Sequence, residues 1–434
     1  MQMNPIYDAN NLYNAAIASK KGSGETDEVR RFMWMWLLNI TELQDDLKNQ
    51  TYHDSKGEEF IINERGHTRA IVAKSMRDRV VRHSLCDNVL TPNLSPKLIY
   101  ANCASQVNKG IDLQRKILVE HLRNYYAHYG NDGYVLEMDF SNFYDNVRHQ
   151  ESLDMLKEII DDEYAIWLTE KILKGFEVDV SYLTDAEYKN CMNKKFNSIE
   201  YRENIPKCLH TGNKMMRKSL DIGDQTSQDL SIFYPYKIDN YVKIVRGVKY
   251  YGRYMDDSYI IAPTKEELWD IYAGIKEIAD SLGIFINEKK THITKLSNGF
   301  RFLQIKYILT DSGKVIQKIN QKRITAMRRK LKKLAVKVKN GERNYKDIEN
   351  MFKGWMGSHH KYMSRRQKEN MYGLFNKLFK TDLKWVHDGK KGAKRSGHYE
   401  SKPYIGSVGR NNNSVPDERE QFYNRSGYQL ENSF

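Results

Sequence analysis

Cysteine is scarce in this chain: four residues in 434, at positions 86, 103, 191 and 208. They are too few and too scattered for a disulfide framework, which fits a reducing cytoplasm. Cys191, Cys208 and His210 sketch part of a zinc site, but no CxxC spacing exists and no fourth ligand follows. Long hydrophobic runs are missing too. The longest near the N-terminus, Phe32 to Leu38, is seven residues, far short of a bilayer span. No basic-then-apolar pattern opens the chain, so no signal peptide is expected. No internal repeat is visible, and residues 314–339 hold no acidic side chain. These absences argue against a stapled secreted scaffold and against a membrane partner.

Positive charge and tyrosine are what the chain has in excess. Seventy Lys and Arg against 56 Asp and Glu leave a formal charge of +14, and tyrosine appears 29 times. A basic surface interleaved with aromatic faces suits a polyanion whose bases can stack. The length is sufficient for two or three domains with a substantial core.

Two acidic stretches organise the rest. Tyr254-Met255-Asp256-Asp257 lies between strand-like runs, residues 247–251 and 258–262, so hairpin strands meeting at a carboxylate turn are expected. Adjacent aspartates on one turn repel, which is tolerated mainly where a cation neutralises them. Far upstream, the apolar strand 133–138 ends in Asp139, and an aromatic-rich turn through Phe143 and Tyr144 follows. A carboxylate at a strand end beside a paired-aspartate hairpin is what a two-metal phosphoryl-transfer site needs.

Around these stretches the pattern is mixed. Residues 1–60 read as helical, with Ser23 or Thr26 capping a helix through Trp36 and Leu38. A short strand, Phe60 to Ile62, and a turn at Arg65-Gly66 precede the alternating segment 68–74. Ser75 then opens a helix, and Arg69, Lys74, Arg77, Arg79 and Arg82 put five cations in fourteen residues at that junction. A helix start ringed by cations suits a triphosphate, although such a run is also what an ordinary solvated face looks like. Residues 151–176 read as one amphipathic helical stretch, and 179–207 as a patternless insertion loop. A helix through Leu230, Phe233 and Ile238 and another over 265–282 follow. From 314 to 339 there are eleven Lys or Arg, and Ile324, Met327, Leu331, Leu334 and Val338 recur at helical spacing. One face would pack and the other would track a phosphate backbone. From about residue 388 the composition suits a flexible tail.

Asp139, the loop Gly223-Asp224-Gln225-Thr226-Ser227-Gln228 and Tyr254-Met255-Asp256-Asp257, in this order, resemble a reverse transcriptase, an RNA-directed DNA polymerase. The resemblance runs from about residue 60 to about 310, with a looser match on either side. It is nearest to bacterial enzymes related to group II intron, diversity-generating retroelement and defence-associated reverse transcriptases, the loop from Ile222 to Gln228 being more like the last two. The implied fold is an α+β right hand: N-terminal helices and fingers over 1–130, a palm over 131–310 with the insertion, a helical thumb over 311–387 and a tail over 388–434.

The resemblance also implies roles. Asp139, Asp256 and Asp257, with the neighbouring Phe140, would hold two Mg²⁺ ions, Mn²⁺ being an alternative. Lys290 (or Lys289) would protonate the pyrophosphate leaving group. Arg69, Lys74 and Arg77 would meet the triphosphate, Phe140 and Tyr144 the nucleotide, with Tyr144 crowding its 2′-hydroxyl, and Gln228 the template and nucleotide. Lys109, Lys322, Arg328, Arg329, Lys332 and Lys333 would contact nucleic acid. Two departures stand out: Gln304 occupies a position usually held by glycine in the primer-grip hairpin, and Asp221 and Asp224 make the nucleotide-side loop acidic. The expected partners are an RNA template (a dedicated noncoding RNA), a DNA primer or product, and dNTPs, with an accessory protein or a second copy of the chain. The biological role expected is bacterial antiphage defence, with sequence diversification close behind. The rivals are a catalytically idle RNA-binding scaffold and untemplated or tyrosine-primed synthesis from Tyr399, Tyr404, Tyr423 or Tyr428.

Overall fold

The computed structural model describes residues 4–21, 26–55, 57–64, 67–203 and 206–384. The chain begins with helices α1 (Ala9–Lys21), α2 (Asp27–Trp34) and α3 (Trp36–Lys48). Thr26 starts α2 by accepting from the Val29 amide, with Asp27 and Glu28 complementing the helix dipole. The helix expected to run on through Trp36 breaks at Met35, whose ψ of 32° leaves the helical region. Ser23, the Arg65-Gly66 turn, the tail from 388 and its tyrosines lie outside the described residues.

Strands β1 (Glu58–Glu64) and β2 (His67–Ala73) form an antiparallel hairpin that pairs Phe60 with Ile71 and Ile62 with Arg69. Ser75 then caps α4 (Met76–Leu85) by accepting from the Asp78 amide, and α4 packs on α1. After the short α5 (Thr91–Leu94), Gly110 takes φ 149°, which only glycine adopts readily, and leads into α6 (Ile111–Tyr129).

Next come β3 (Tyr134–Asp139), α7 (Phe143–Asn146), α8 (His149–Lys157) and α9 (Glu163–Lys174). The single helical stretch expected over 151–176 is therefore divided. Asp162 begins a fresh helix by accepting from the Tyr164 and Ala165 amides. The segment expected to be a patternless loop is also folded. It holds α10 (Asp185–Asn193) and α11 (Ser198–Glu203), framed by β4 (Val178–Asp179) and, beyond it, β5 (Met215–Met216). β4 pairs with β5, Thr184 and Glu187 form a capping box, and Val178, Val180, Phe196 and Met216 make a small core.

The next elements are α12 (Gln225–Phe233), α13 (Tyr236–Asn240), β6 (Tyr251–Tyr254), β7 (Asp257–Ala262), α14 (Lys265–Leu282) and β8 (His292–Lys295). Pro235 separates α12 from α13, where one helix was expected. The first hairpin strand starts at Tyr251, four residues later than expected. Strands pair in the antiparallel order β6-β7-β3-β8, with Leu136 opposite Ile260 and Asp139 opposite Asp257. Leu136, Met138, Ile260 and Ala262 join one core with the inner faces of α8, α9 and α14.

β9 (Phe300–Phe302), β10 (Ile305–Leu309) and β11 (Val315–Ile319) form a three-stranded sheet. The β9–β10 loop is Leu303-Gln304, and both residues have positive φ, 45° and 71°. The chain divides into two compact units: Met1–Leu303 with Ile308–Val315, and Gln304–Tyr307 with the chain from Ile316. In the second, α15 (Gln321–Lys339), α16 (Tyr345–His359) and α17 (Arg365–Phe379) pack around Phe352 and Phe375, whose rings stack 4.3 Å apart. The basic stretch from 314 is thus helical only from Gln321. Ile324, Met327 and Leu331 are buried, while Leu334 and Val338 are half-exposed.

Candidate active site

The site is built by strand register. Because β3 and β7 are neighbours, the last residue of one, Asp139, faces the first of the other, Asp257. β6 and β7 are joined by two residues, Met255-Asp256, with Tyr254 opposite Asp257. Met255 takes φ 54° at the first loop position, where such hairpins favour glycine. The turn is held from below. Arg253, fully buried, donates to the Met255 carbonyl at 3.0 Å and the Ile232 carbonyl at 2.8 Å, and pairs with buried Asp239 at 2.6 Å. Tyr251 donates to the same carboxylate. Phe140 closes the cluster through its amide, 3.3 Å from the Asp256 carbonyl. Its ring is buried against Phe143, so any contact Phe140 makes with metal or nucleotide comes from its backbone.

Three carboxylates in this space perturb one another. Burial first, then repulsion from Asp256 and Asp139, pushes the Asp257 carboxyl up to about 7. Asp256 is raised by burial and by Asp139. The compensating cation is Lys290, whose ammonium sits 3.0 Å from Asp139, while the Asn287 side chain donates to the other oxygen at 3.0 Å. Although burial opposes it, the Asp139 bond holds Lys290 above the usual lysine range. Among the described residues no three acidic, histidine or cysteine side chains are already drawn into one coordination shell. Asp139 is turned towards Lys290 and Asn287 instead.

The nucleotide-side residues fall into two groups. Tyr144 is brought to the site: its hydroxyl lies 3.1 Å from the Ser231 hydroxyl, and Ser231 in turn lies 3.7 Å from the Met255 sulfur. Burial raises its phenol, which also feels the charges of Asp256 and Arg69. Arg69, exposed on β2, acts on Asp256 as well. Gln228 is half-buried on α12, one turn before Ser231, which donates to its carbonyl at 2.9 Å.

Lys74 and Arg77, expected near the triphosphate, each lie against carboxylates of the protein. The Lys74 side chain is 4% exposed and lies between Asp221 at 3.3 Å and Asp54 at 3.4 Å. Arg77 pairs with Asp46 and covers the Tyr52 ring. The α4 start is no free cradle either, because the Glu28 carboxylate accepts the Met76 amide at 2.6 Å. Arg82 makes two 2.8 Å bonds to Asp54 and pairs with Asp224, which also caps α12. The acidic loop residues Asp221 and Asp224 therefore neutralise the buried cations Lys74 and Arg82.

Lys109 donates to the Tyr100 and Asn102 carbonyls at 3.4 and 3.3 Å, beside the Tyr100 ring. Lys322, Arg329, Lys332 and Lys333 are exposed on α15, and Arg328 is half-exposed. Cys191 lies against the Tyr201 hydroxyl at 3.3 Å and His210 against the Tyr182 ring, which accounts for neither as a zinc ligand. Sequence reasoning missed Arg253, Asp239, Ser231 and Asn287. Only Arg253, two residues before Met255, carried a sequence signal through proximity to an acidic motif.

An antiparallel sheet that sets an acidic strand end against an acidic hairpin, with helices behind it, is the arrangement expected of a polymerase palm. The family model for reverse transcriptases (RNA-dependent DNA polymerases) matches residues 61–307, which is 247 of 434 residues, and the chain belongs to that family. No curated protein matches the chain. The family's substrates are an RNA template, a DNA strand and dNTPs. No helix among the described residues is long and apolar enough to cross a membrane.

Proposed function

We propose that this chain copies RNA into DNA at the Asp139–Asp256–Asp257 cluster with two divalent cations. The observation that carries the reading is the Asp139–Asp257 register, which joins motifs 118 residues apart. The donor set fits a hard cation: three carboxylates, two of them raised by burial and mutual repulsion, face one lysine. Asp139, Asp256 and Asp257 would hold Mg²⁺, which, when bound, supplies Lewis-acid stabilisation of the oxygens at phosphorus. Lys290, kept protonated beside Asp139, has a proton at Nζ for the pyrophosphate. Arg69 binds the triphosphate, Gln228 meets the template and nucleotide, and Tyr144 crowds the sugar 2′ position.

The template is a dedicated noncoding RNA and the setting is antiphage defence, with sequence diversification the second reading, since the Ile222–Gln228 loop pattern is like both branches. Changing Asp256 and Asp257 to Ala tests the core claim. dNTP incorporation should fall below detection while RNA affinity stays within about twofold, since charge on α15 is untouched. Incorporation that survives the double change would sink the assignment, and loss of RNA binding would favour a scaffold. Sequencing the nucleic acid that co-purifies identifies the template.

A further inference from the structure

The lobe between β4 and β5 is fastened to one loop of the palm, residues 141–147, which carries Tyr144. Asn146, 2% exposed, is the centre of the attachment. Its amide nitrogen donates to the Phe196 carbonyl at 3.1 Å, and its oxygen accepts from the Phe196 amide at 2.8 Å. Lys218, 1% exposed, reaches the same oxygen at 3.3 Å and donates to the lobe's Lys194 carbonyl at 2.8 Å. Ser198 at the start of α11 donates to Asp145 at 2.6 Å, and Lys195 reaches the Ser141 hydroxyl at 3.3 Å. Asn142, in a left-handed conformation with φ 48°, donates to the Phe196 carbonyl. From the opposite side the Leu220 amide donates to the Tyr144 carbonyl at 2.8 Å. α11 packs on β2 as well, the strand that carries Arg69.

Burying an ammonium is costly unless carbonyls replace its water. Here they come from the lobe, and the same ammonium fixes Asn146. A segment that merely lengthened the chain needs no such link. We infer that the lobe over residues 178–216 is a positioning element for the incoming nucleotide, holding the 141–147 loop so that the Tyr144 ring stands against α12. The inference rests on the reading of Tyr144 as the residue beside the nucleotide sugar.

The test uses the full chain with saturating template–primer, comparing wild type, Ser198→Ala, Lys218→Met and Tyr144→Ala. Each lobe variant should raise the KM for dNTP and lower the preference for dNTP over rNTP by about three- to tenfold, with kcat within about twofold. In a Tyr144→Ala background, Ser198→Ala should change the preference no further, because both act through one ring. Ser198→Ala removes a single bond and keeps the assay meaningful if Lys218→Met unfolds the lobe. Unchanged KM and preference in Ser198→Ala, or a loss of kcat and thermal stability alone, overturns the inference while leaving the polymerase reading intact. A wild type that incorporates no nucleotide overturns both.

Discussion

At the scale of single residues, the site stores unfavourable electrostatics. Asp257 has a folded-state pKa of about 7, above the ordinary carboxylate value, so its ionised form opposes folding. That penalty is absent below the unfolded pKa of about 4, grows as pH rises, and is complete above about pH 7. Asp257→Asn should therefore stabilise the metal-free protein at pH 8 by about 1–3 kcal/mol, a few degrees in Tm, with little effect near pH 4. Millimolar Mg²⁺ should raise the Tm of the wild type and leave the variant's nearly unchanged. Thermal melts at both pH values check this. A variant less stable than wild type at pH 8 would mean that the carboxylates are already neutralised by protein groups. The three aspartates were legible because each sits beside its own local signal, an apolar strand or a tight turn. Their shared register was not, since pairing between β3 and β7 is a contact between distant segments.

At the scale of elements, charge type alone misleads. Lys74, Arg77 and Arg82 looked like a phosphate cradle, yet their partners Asp54, Asp221, Asp46 and Asp224 lie up to 147 residues away. Nothing local tells a cation bound for an interior carboxylate from one bound for a ligand. Arg69, on β2, is the cation of this group whose charge reaches Asp256. The folded lobe escaped notice for a related reason: Val178, Val180, Phe196 and Met216 are single apolar residues in a polar stretch, with no common period. The β9–β10 hairpin shows the converse. Gln304 stands where such a hairpin usually has glycine, and the backbone there is left-handed all the same, with φ 71°. A non-glycine residue holds that conformation at a cost of about 1 kcal/mol. Gln304→Gly should raise stability by at most about 0.5 kcal/mol in denaturant melts, the relief slightly exceeding glycine's extra chain entropy. A loss of stability would show that the glutamine side chain makes a contact worth more than the strain.

At the scale of the whole molecule, the excess of +14 is unevenly placed. Nine Lys or Arg fall between Gln321 and Lys339 without one acidic residue, and the apolar residues Ile324, Met327 and Leu331 are withdrawn into the second unit. A helix so charged repels itself unless a polyanion lies along it, which is why its solvent face reads as a backbone-tracking surface. None of these nine cations belongs to the aspartate cluster, so binding and chemistry should separate. Replacing Arg329, Lys332 and Lys333 by Gln should weaken RNA binding at every salt concentration. The slope of log K against log salt should fall by about 2 for three lost single-strand contacts. Thermal stability should hold, because all three side chains are exposed. At RNA concentrations high enough to restore saturation, the rate of nucleotide addition should return to that of the wild type, since Asp139, Asp256 and Asp257 are untouched. An unchanged salt slope would move the RNA-binding surface off α15.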